Sequence, residues 1–209
     1  MLRILIADDH TVVRKGLQQI LHDQFPTAYI QEVTDAEELI KHVMASTWDV
    51  VISDLSMPGR SGLDALQQIK LSHPKLPVLI LSIHPEEQYA LRALKSGAAG
   101  YLSKDTAPDE LVKAVQKVLL GKKYISQSIA EKLANTFSSD TATNPHENLS
   151  DREFDVMKLL ANGKSVSEIA DMLSLSVTTV STYRARVMAK MDMKSNSDLT
   201  KYALEHKLI

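Results

Sequence analysis

Charged and hydroxyl side chains follow several short apolar runs of this chain, and each run has the pattern of a buried β-strand. Because parallel strands end at a common edge of a sheet, these side chains would meet there as three carboxylates, a hydroxyl and an ammonium. A cluster of that composition indicates a chemical site. Its candidate members are Asp8 and Asp9 after residues 2–7, Asp54 after residues 50–52, Ser82 after residues 78–81, and Tyr101 and Lys104 in and after residues 100–102.

The three carboxylates predict a metal site. Asp8, Asp9 and Asp54 would repel one another at close range, so they need a nearby cation. The chain has no cysteine, and its seven histidines are scattered without the spacing of metal ligands. Ligation by oxygen alone favours Mg²⁺, which takes one or two carboxylates and leaves room for phosphate oxygens.

The same cluster predicts a phosphoryl acceptor. Asp54 lies centrally in the predicted sheet, and a carboxylate can form an acyl phosphate when a metal offsets the charge of the transferring group. Lys104 supplies a second positive charge, and the Ser82 hydroxyl can donate to a phosphoryl oxygen. The expected product is an aspartyl phosphate on Asp54.

Apolar runs of strand length alternate with helical patterns from residue 2 to residue 121. Five predicted strands are interspersed with stretches whose apolar residues recur with a period of 3.6, as at Leu111, Val115 and Val118. Five βα units with right-handed connections predict an α/β fold, a flavodoxin-like, doubly wound, five-stranded parallel sheet with helices on both faces. Ligands of such sheets bind beyond the carboxyl ends of the strands, where the candidate residues lie.

Length and composition are typical of a soluble chain with about two domains. The chain has 209 residues, of which 44% are hydrophobic and 24% charged, and its formal net charge is -2. No apolar stretch approaches the roughly 20 residues that span a bilayer, and the N-terminus lacks a signal-peptide pattern. These features predict a cytoplasmic protein with no membrane partner and no disulfide.

Three segments are expected, namely a first domain at 1–121, a connecting segment at 122–146 and a second domain at 147–209. In the connecting segment, Ile129, Leu133 and Phe137 have the spacing of a short amphipathic helix. The polar residues 138–145 show no periodic apolar signal and are predicted to form a flexible tether.

The C-terminal segment shows helical patterns only, so a small all-α four-helix domain is expected. Ser150 followed by Glu153 is a capping box at the start of its first helix, which Gly163 would end. Ser165 or Ser167 is expected to cap the second helix.

A turn at residues 174–176 then leads into a longer helix with a predicted buried stripe of Val180, Val187 and Met191. Two helices joined by a tight turn, the second of them basic, predict a helix-turn-helix. The local charge of +3 on the longer helix comes from Arg184, Arg186, Lys190 and Lys194 against Asp192.

The first domain resembles the receiver domain of bacterial two-component response regulators. This resemblance implies that Asp9, Asp54 and the main-chain carbonyl of Ser56 ligate Mg²⁺, that Asp8 assists indirectly, and that Asp54 is phosphorylated. It also implies that Lys104 contacts the phosphoryl group and that Ser82 and Tyr101 form a switch pair. The matching motifs are Asp8-Asp9-His10, Asp54-Leu55-Ser56-Met57-Pro58-Gly59, Ser82, Gly97-Ala98-Ala99-Gly100-Tyr101 and Lys104.

One position departs from the common receiver pattern. Many receivers have a proline after the lysine, in a cis peptide, whereas Asp105 follows Lys104 here. A cis bond before a residue other than proline would cost about 3 to 4 kcal/mol.

The second domain resembles the LuxR-type four-helix DNA-binding domain, so the whole chain is similar to NarL/FixJ-type response regulators. Two positions of the recognition helix differ from the common pattern, where Ser181 replaces a lysine and Tyr183 a histidine. The residues that carry the resemblance are Leu149-Ser150-Asp151-Arg152-Glu153, Gly163, Ser167-Glu168-Ile169-Ala170, Leu173, Ser176, Thr179-Val180, Tyr183 and Met191.

The predicted recognition helix has an outward face that suits DNA. Hydroxyls and a small apolar group fit base edges and thymine methyls, whereas cations more often contact phosphates and set the salt dependence of binding. The expected DNA contacts are Thr178, Thr179, Ser181, Thr182 and Ala185 for base edges, and Arg184, Arg186, Lys190 and Lys194 for phosphates.

Together, the two resemblances predict a transcription regulator activated by phosphorylation. A sensor histidine kinase would donate the phosphoryl group to Asp54, and the active form would be a homodimer on two half-sites of promoter DNA. The protein is not expected to be an enzyme beyond self-phosphorylation and self-dephosphorylation.

Two other functions remain open on the sequence. A phosphatase of the haloacid-dehalogenase type would need a second aspartate two residues after the nucleophile, where Ser56 stands. A constitutive DNA-binding factor, whose receiver serves only as a dimerisation scaffold, predicts that Asp54→Ala leaves DNA binding and dimerisation unchanged.

Overall fold

The computed structural model describes residues 1–131 and 144–209, except for the side chain of Glu87. The chain divides into two compact units, Met1–Ser138 and Ser139–Ile209.

The first unit is a five-stranded parallel sheet with the strand order β2-β1-β3-β4-β5. Its order is that of a doubly wound fold, and the predicted α/β architecture is confirmed. The strands are β1 (Arg3–Ala7), β2 (Tyr29–Val33), β3 (Val50–Asp54), β4 (Val78–Ser82) and β5 (Gly100–Ser103). The helices are α1 (Thr11–Gln24), α2 (Ala36–Ala45), α3 (Gly62–Ser72), α4 (Glu86–Lys95) and α5 (Ala107–Leu119).

The central strands form the core because helices cover both of their faces. Every residue of β3 and β4 is buried, as the continuous apolar runs predict for a parallel sheet. On one face, α1 and α5 contact each other and supply Leu17, Leu21, Leu111 and Val115 to the same cluster as Ile52. On the other face, α2 contacts α3.

The turn from β3 into α3 brings two backbone segments together at the end of β3. The Gly62 N–H donates to the Leu55 carbonyl at 2.9 Å. A Cβ at Gly62 would lie 1.9 Å from the main-chain oxygen of Asp54. Only glycine fits here, so this residue fixes how closely α3 approaches the end of β3.

The segment after α5 belongs to the first unit. Tyr124 forms a parallel bridge with Gly100, and its N–H donates to the Ala99 carbonyl at 2.8 Å. Helix α6 begins at residue 127 and is described to residue 131, with Ile129 buried. Leu133 and Phe137 of the predicted amphipathic helix lie outside the described residues, as does most of the predicted tether.

The second unit contains four α-helices among its described residues, as predicted. They are preceded by a short 3₁₀ helix, Pro145–Asn148. The four are α7 (Asp151–Ala161), α8 (Val166–Leu173), α9 (Val177–Met191) and α10 (Asn196–Glu205).

Capping residues set the helix boundaries of this unit. The predicted capping box of Ser150 and Glu153 is confirmed, and Ser165 caps α8 through an equivalent box with Glu168. Between α8 and α9, Ser174 adopts a left-handed conformation with φ 53°, which ends α8 and begins the three-residue turn into α9. Of the helices in the described ranges, none has the length and apolar character to cross a bilayer.

Two glycine substitutions test how the β3–α3 turn is built. Gly62→Ala is expected to destabilise the first unit by at least about 2 kcal/mol, because the new methyl group overlaps main-chain atoms. Gly16→Ala is the matched control. It lies inside α1 with no atom within 4 Å of the new Cβ, so a stability gain of about 0.5 to 1 kcal/mol is expected.

Urea unfolding followed by fluorescence distinguishes these outcomes, because Trp48 is the only tryptophan and lies in the first unit. Equal midpoints for Gly62→Ala and wild type would contradict the proposed constraint.

Candidate functional site

The carboxyl edge of the sheet carries a buried ion-pair network. Asp8 follows β1 and is fully buried, and Asp54 ends β3 with 3% exposure. The Lys104 ammonium lies 2.7 Å from Asp8 Oδ2 and 3.0 Å from Asp54 Oδ2. The Lys104 N–H donates to the Ser82 carbonyl at 2.8 Å, which ties the lysine to the end of β4. The peptide bond between Lys104 and Asp105 is trans.

Burial dominates the electrostatics of Asp54. Removal from water, with a smaller contribution from the Asp8 carboxylate, raises the pKa of Asp54 from an ordinary 3.8 to about 6. The Lys104 ammonium and the Ser56 N–H oppose this shift without cancelling it. Burial also lowers the pKa of Lys104, but the Asp8 and Asp54 carboxylates outweigh it and raise that pKa overall. The site therefore holds more negative charge than its lysine neutralises.

The acidic residues lie close enough to share one cation. Ligand atoms of Asp8, Asp9, His10 and Asp54 all lie within 4.8 Å of one another. Among the described residues, Asp8 Oδ2 and Asp9 Oδ1 are buried oxygens that accept no well-directed hydrogen bond, although the Lys104 ammonium approaches the first and the His10 imidazole the second. Two such carboxylate oxygens beside Asp54 are a donor set that fits Mg²⁺.

Two residues of this edge were not predicted to belong to the site. The imidazole of His10, which is mostly exposed, lies 2.7 Å from Asp9 Oδ1. The buried Arg14 guanidinium donates to the Asp8 carbonyl at 2.7 Å and pairs with Glu32 at 3.3 Å. Arg14 therefore holds the backbone of the acidic loop. The only sign of this role in the sequence was that Arg14 is a polar residue on the buried face of α1.

The predicted switch pair meets at one loop residue. The Ser82 hydroxyl accepts a hydrogen bond from the His84 N–H at 3.0 Å, and the Tyr101 hydroxyl donates to the His84 carbonyl at 2.9 Å. Both Ser82 and Tyr101 are buried, so Tyr101 takes an inward position. The His84 ring stacks on Tyr89 and lies 2.9 Å from the Ser56 hydroxyl. No pattern in the sequence distinguished His84 from the other histidines.

The second candidate site is the outward face of α9. Val180, Val187 and Met191 are buried, which confirms the predicted stripe. A surface concavity of about 330 Å³ is lined by hydroxyls and one guanidinium, from Ser176, Thr178, Thr179, Thr182, Tyr183 and Arg186. Of the predicted contacts, Thr178, Ser181, Thr182, Ala185, Arg186, Lys190 and Lys194 are exposed, whereas Thr179 and Arg184 are half-buried.

The basic residues of this face differ in their partners. Lys190 lies 2.6 Å from a carboxylate oxygen of the buried Glu153, and the Arg184 guanidinium donates to Asn196 at 3.1 Å. Within residues 144–209, Arg186 and Lys194 form no ion pair. The charge most accessible to a phosphate therefore comes from Arg186 and Lys194.

Comparison with known families decides what these two sites belong to. Residues 4–116 match the response regulator receiver domain, and residues 147–203 match the luxR family of bacterial regulatory proteins. The chain belongs to the NarL/FixJ family of response regulators. Its predicted identity as a regulator with a receiver and a LuxR-type helix-turn-helix domain is confirmed.

Relatives of this response regulator align over its whole length. It is 35% identical over 209 residues to the response regulator UvrY of Escherichia coli K12, with 100% of this chain and 96% of that protein covered. It is 39% identical over 215 residues to the oxygen regulatory protein NreC of Staphylococcus carnosus, with 100% and 99% covered.

A solved structure of Salmonella enterica RcsB, bound to promoter rprA with phosphomimetic BeF3-, is 28% identical to this response regulator. The two align with a TM-score of 0.63 over 97% of this chain and 98% of the other.

The pKa of Asp54 predicts how the receiver responds to pH without divalent metal. Asp54→Asn is expected to raise its unfolding free energy by about 1 to 3 kcal/mol at pH 7.5 in EDTA, because the amide removes a buried charge. The pKa of Asp54 is higher in the folded than in the unfolded chain, so this destabilisation is full above pH 6 and disappears towards pH 3.8. The advantage of asparagine therefore shrinks on acidification.

Urea unfolding at pH 7.5 and pH 4.5, monitored by Trp48 fluorescence, measures this difference. The control is Asp23→Asn on the exposed face of α1, for which a change within about 0.5 kcal/mol is expected. An equal gain for Asp54→Asn at both pH values would disprove the electrostatic cause.

Substitutions of Lys190 in α9 and of Lys194 just after it distinguish a lysine that stabilises the fold from one that is accessible to DNA. Lys190→Ala is expected to destabilise the second unit by about 1 to 2 kcal/mol, because the buried Glu153 loses its ammonium. Burial favours the neutral form of Glu153, but hydrogen bonds from Lys190 and Ser150 outweigh it and lower its pKa. The stabilisation is therefore present above the ordinary value of 4.5 and lost as pH falls through the lowered pKa.

Hydrogen exchange of the α7 and α9 amides at neutral and acidic pH measures this effect. Lys194→Ala is the control and should leave exchange unchanged while weakening DNA binding. Unaltered exchange in Lys190→Ala would refute the structural role of that lysine.

Proposed function

We propose that this response regulator is switched by phosphorylation of Asp54 and then binds promoter DNA as a dimer. The observation that carries the proposal is the buried Asp54 carboxylate, which lies 3.0 Å from the Lys104 ammonium and beside two further aspartates. Such an arrangement suits a carboxylate that gains a phosphoryl group and then needs its new negative charge balanced.

The residues present would hold Mg²⁺ through Asp9, Asp54 and the main-chain carbonyl of Ser56, with Asp8 assisting indirectly. When bound, Mg²⁺ neutralises charge on the transferring phosphoryl group. The phosphoryl donor is the phosphohistidine of a sensor histidine kinase. A carboxylate oxygen of Asp54 attacks phosphorus, the bond between phosphorus and the histidine nitrogen breaks, and that nitrogen keeps the electron pair.

The protein's own side chains then respond to the phosphoryl oxygens. The Lys104 ammonium donates a hydrogen bond to the new phosphoryl group, because charge-assisted hydrogen bonds to phosphate are strong. The Ser82 hydroxyl donates to a phosphoryl oxygen and gives up its bond from the His84 N–H. Because the Tyr101 hydroxyl donates to the His84 carbonyl, the loop after β4 moves together with Ser82 and Tyr101.

This rearrangement shifts the conformational equilibrium of the receiver towards a state whose surface pairs with a second copy of the chain. Dimerisation joins two helix-turn-helix domains, each of which places α9 in the major groove of one half-site. Solved RcsB structures support this assignment, since they include a DNA complex and two dimers on parallel DNAs. In this role the protein acts in the cytoplasm and turns over no external substrate.

Acetyl phosphate treatment with Mg²⁺ tests the switch. Wild type is expected to gain one phosphoryl group by mass, to dimerise, and to bind promoter DNA on the order of tenfold more tightly. Asp54→Asn should show none of these changes. Equal DNA affinity and dimerisation in wild type and Asp54→Ala, with or without phosphodonor, would instead establish the constitutive DNA-binding factor.

A second arm of the experiment tests the DNA-contacting face. Arg186→Ala should weaken binding about equally on all DNA sequences and reduce the salt slope by about 1, because it removes one phosphate contact. Lys201→Ala on α10 is the matched control, since this exposed lysine lies outside α9. A loss confined to one DNA sequence would show that Arg186 reads a base.

A further inference from the structure

A basic pocket lies at the end of the sheet opposite Asp54. Its walls come from the end of α3 and the loop into β4, from the turn before β5, and from the segment that follows α5. Pro77 and Ala99 directly precede β4 and β5, which places the pocket at the amino ends of these strands. The volume is about 240 Å³. Four of its lining residues are lysines, namely Lys70, Lys75, Lys122 and Lys123.

Two of these ammonium groups are held in place by neutral acceptors. Lys70 donates to the main-chain carbonyls of Leu76 at 2.5 Å and Pro74 at 3.3 Å. Lys123 donates to the Ala98 carbonyl at 2.5 Å. The stem of Lys70 passes over Gly97, where an added Cβ would lie 3.2 Å from Lys70 Cγ. The chain therefore fixes the two cations before any ligand arrives.

The positive charge of the pocket is not neutralised by the described part of the chain. No carboxylate lines the pocket, and the four lysines form no ion pair within residues 1–131 and 144–209. Burial, and then the nearby Lys123 ammonium, lower the pKa of Lys70, and burial lowers the pKa of Lys123. Two ammonium groups held near each other at an energetic cost are expected where an anion binds.

The size and donor count of the pocket indicate the class of anion. Each ammonium has three donors, so after the carbonyl contacts Lys70 retains one and Lys123 two. A pocket of about 240 Å³ is smaller than the roughly 300 to 1,000 Å³ of sites for drug-sized ligands. One compact anion with several negative charges can neutralise the four ammonium groups, and lysine binds phosphate as a point charge.

We propose that this lysine pocket binds a small oligophosphate anion, at a site separate from the phosphoacceptor Asp54.

Isothermal titration of the full-length protein with sodium tripolyphosphate, without Mg²⁺, tests the site. Saturable binding of one anion per chain is expected, and Lys75→Gln/Lys122→Gln should weaken it at least about tenfold. The side chains of those two lysines form no hydrogen bond within the described ranges, so the double variant should fold, which the Trp48 unfolding midpoint checks. Lys75→Arg/Lys122→Arg should retain binding. No saturable binding by wild type at millimolar tripolyphosphate would overturn the proposal.

Matched controls locate the bound anion. Lys41→Gln/Lys113→Gln removes two exposed receiver lysines outside the pocket and should leave the dissociation constant within about twofold. Arg186→Gln/Lys194→Gln removes one charge from α9 and one from the turn after it, and should do the same. If binding is lost in Arg186→Gln/Lys194→Gln but kept in Lys75→Gln/Lys122→Gln, the anion binds the DNA-contacting face and the pocket assignment is wrong.

ATP and orthophosphate distinguish possible sources of the phosphate groups. Tripolyphosphate should bind at least as tightly as ATP, because the pocket leaves little room for a nucleoside, and more tightly than orthophosphate. ATP binding tenfold tighter than tripolyphosphate would overturn the compact-anion assignment. None of these results depends on Asp54, so Asp54→Asn should bind tripolyphosphate as wild type does.

Discussion

The Lys104 ammonium between the buried carboxylates of Asp8 and Asp54 is the interaction on which the receiver depends. It joins residues that follow β1, end β3 and follow β5, so its geometry exists only when three strands end at the same edge in register. This one ammonium faces two buried carboxylates, and burial, with a smaller contribution from Asp8, raises the pKa of Asp54. The site is therefore prepared for a cation, because the fold already carries the cost of holding the carboxylates together.

The loop that follows β4 connects this chemistry to the rest of the receiver. His84 uses its N–H for the Ser82 hydroxyl and its carbonyl for the Tyr101 hydroxyl, while its ring contacts Tyr89 and Ser56. Any group that takes over the Ser82 hydroxyl must leave the His84 N–H to find another acceptor. A buried backbone donor without a partner costs about 1 to 3 kcal/mol, which is enough to shift a population between two loop arrangements.

Charge on the DNA-binding domain is divided between folding and recognition. Lys190 balances the buried Glu153, a residue that also closes the capping box of α7, so this cation stabilises the packing of α9 against α7. Arg186 is exposed in the same concavity as Thr178 and Thr182, and Lys194 is exposed in the turn after α9. Among the cations predicted to contact DNA, only these two are both exposed and free of an ion pair within residues 144–209, so their electrostatic contribution to DNA affinity is modest. Binding by two copies would compensate for this, because the second domain then binds at high local concentration.

The amino-acid sequence by itself determined the five strands, the capping box at Ser150 and the buried stripe Val180, Val187 and Met191, because these follow from periodicity and from contacts within a few residues. It also placed Asp8, Asp9, Asp54 and Lys104 at one edge, since parallel strands must end together. Only the tertiary structure decided that Lys190 pairs with Glu153, that Arg14 holds the acidic loop, and that Ser82 and Tyr101 share His84. The lysine pocket likewise forms from three segments that are distant in sequence. Such contacts depend on chain packing across many residues, and no local pattern records which side chains will meet.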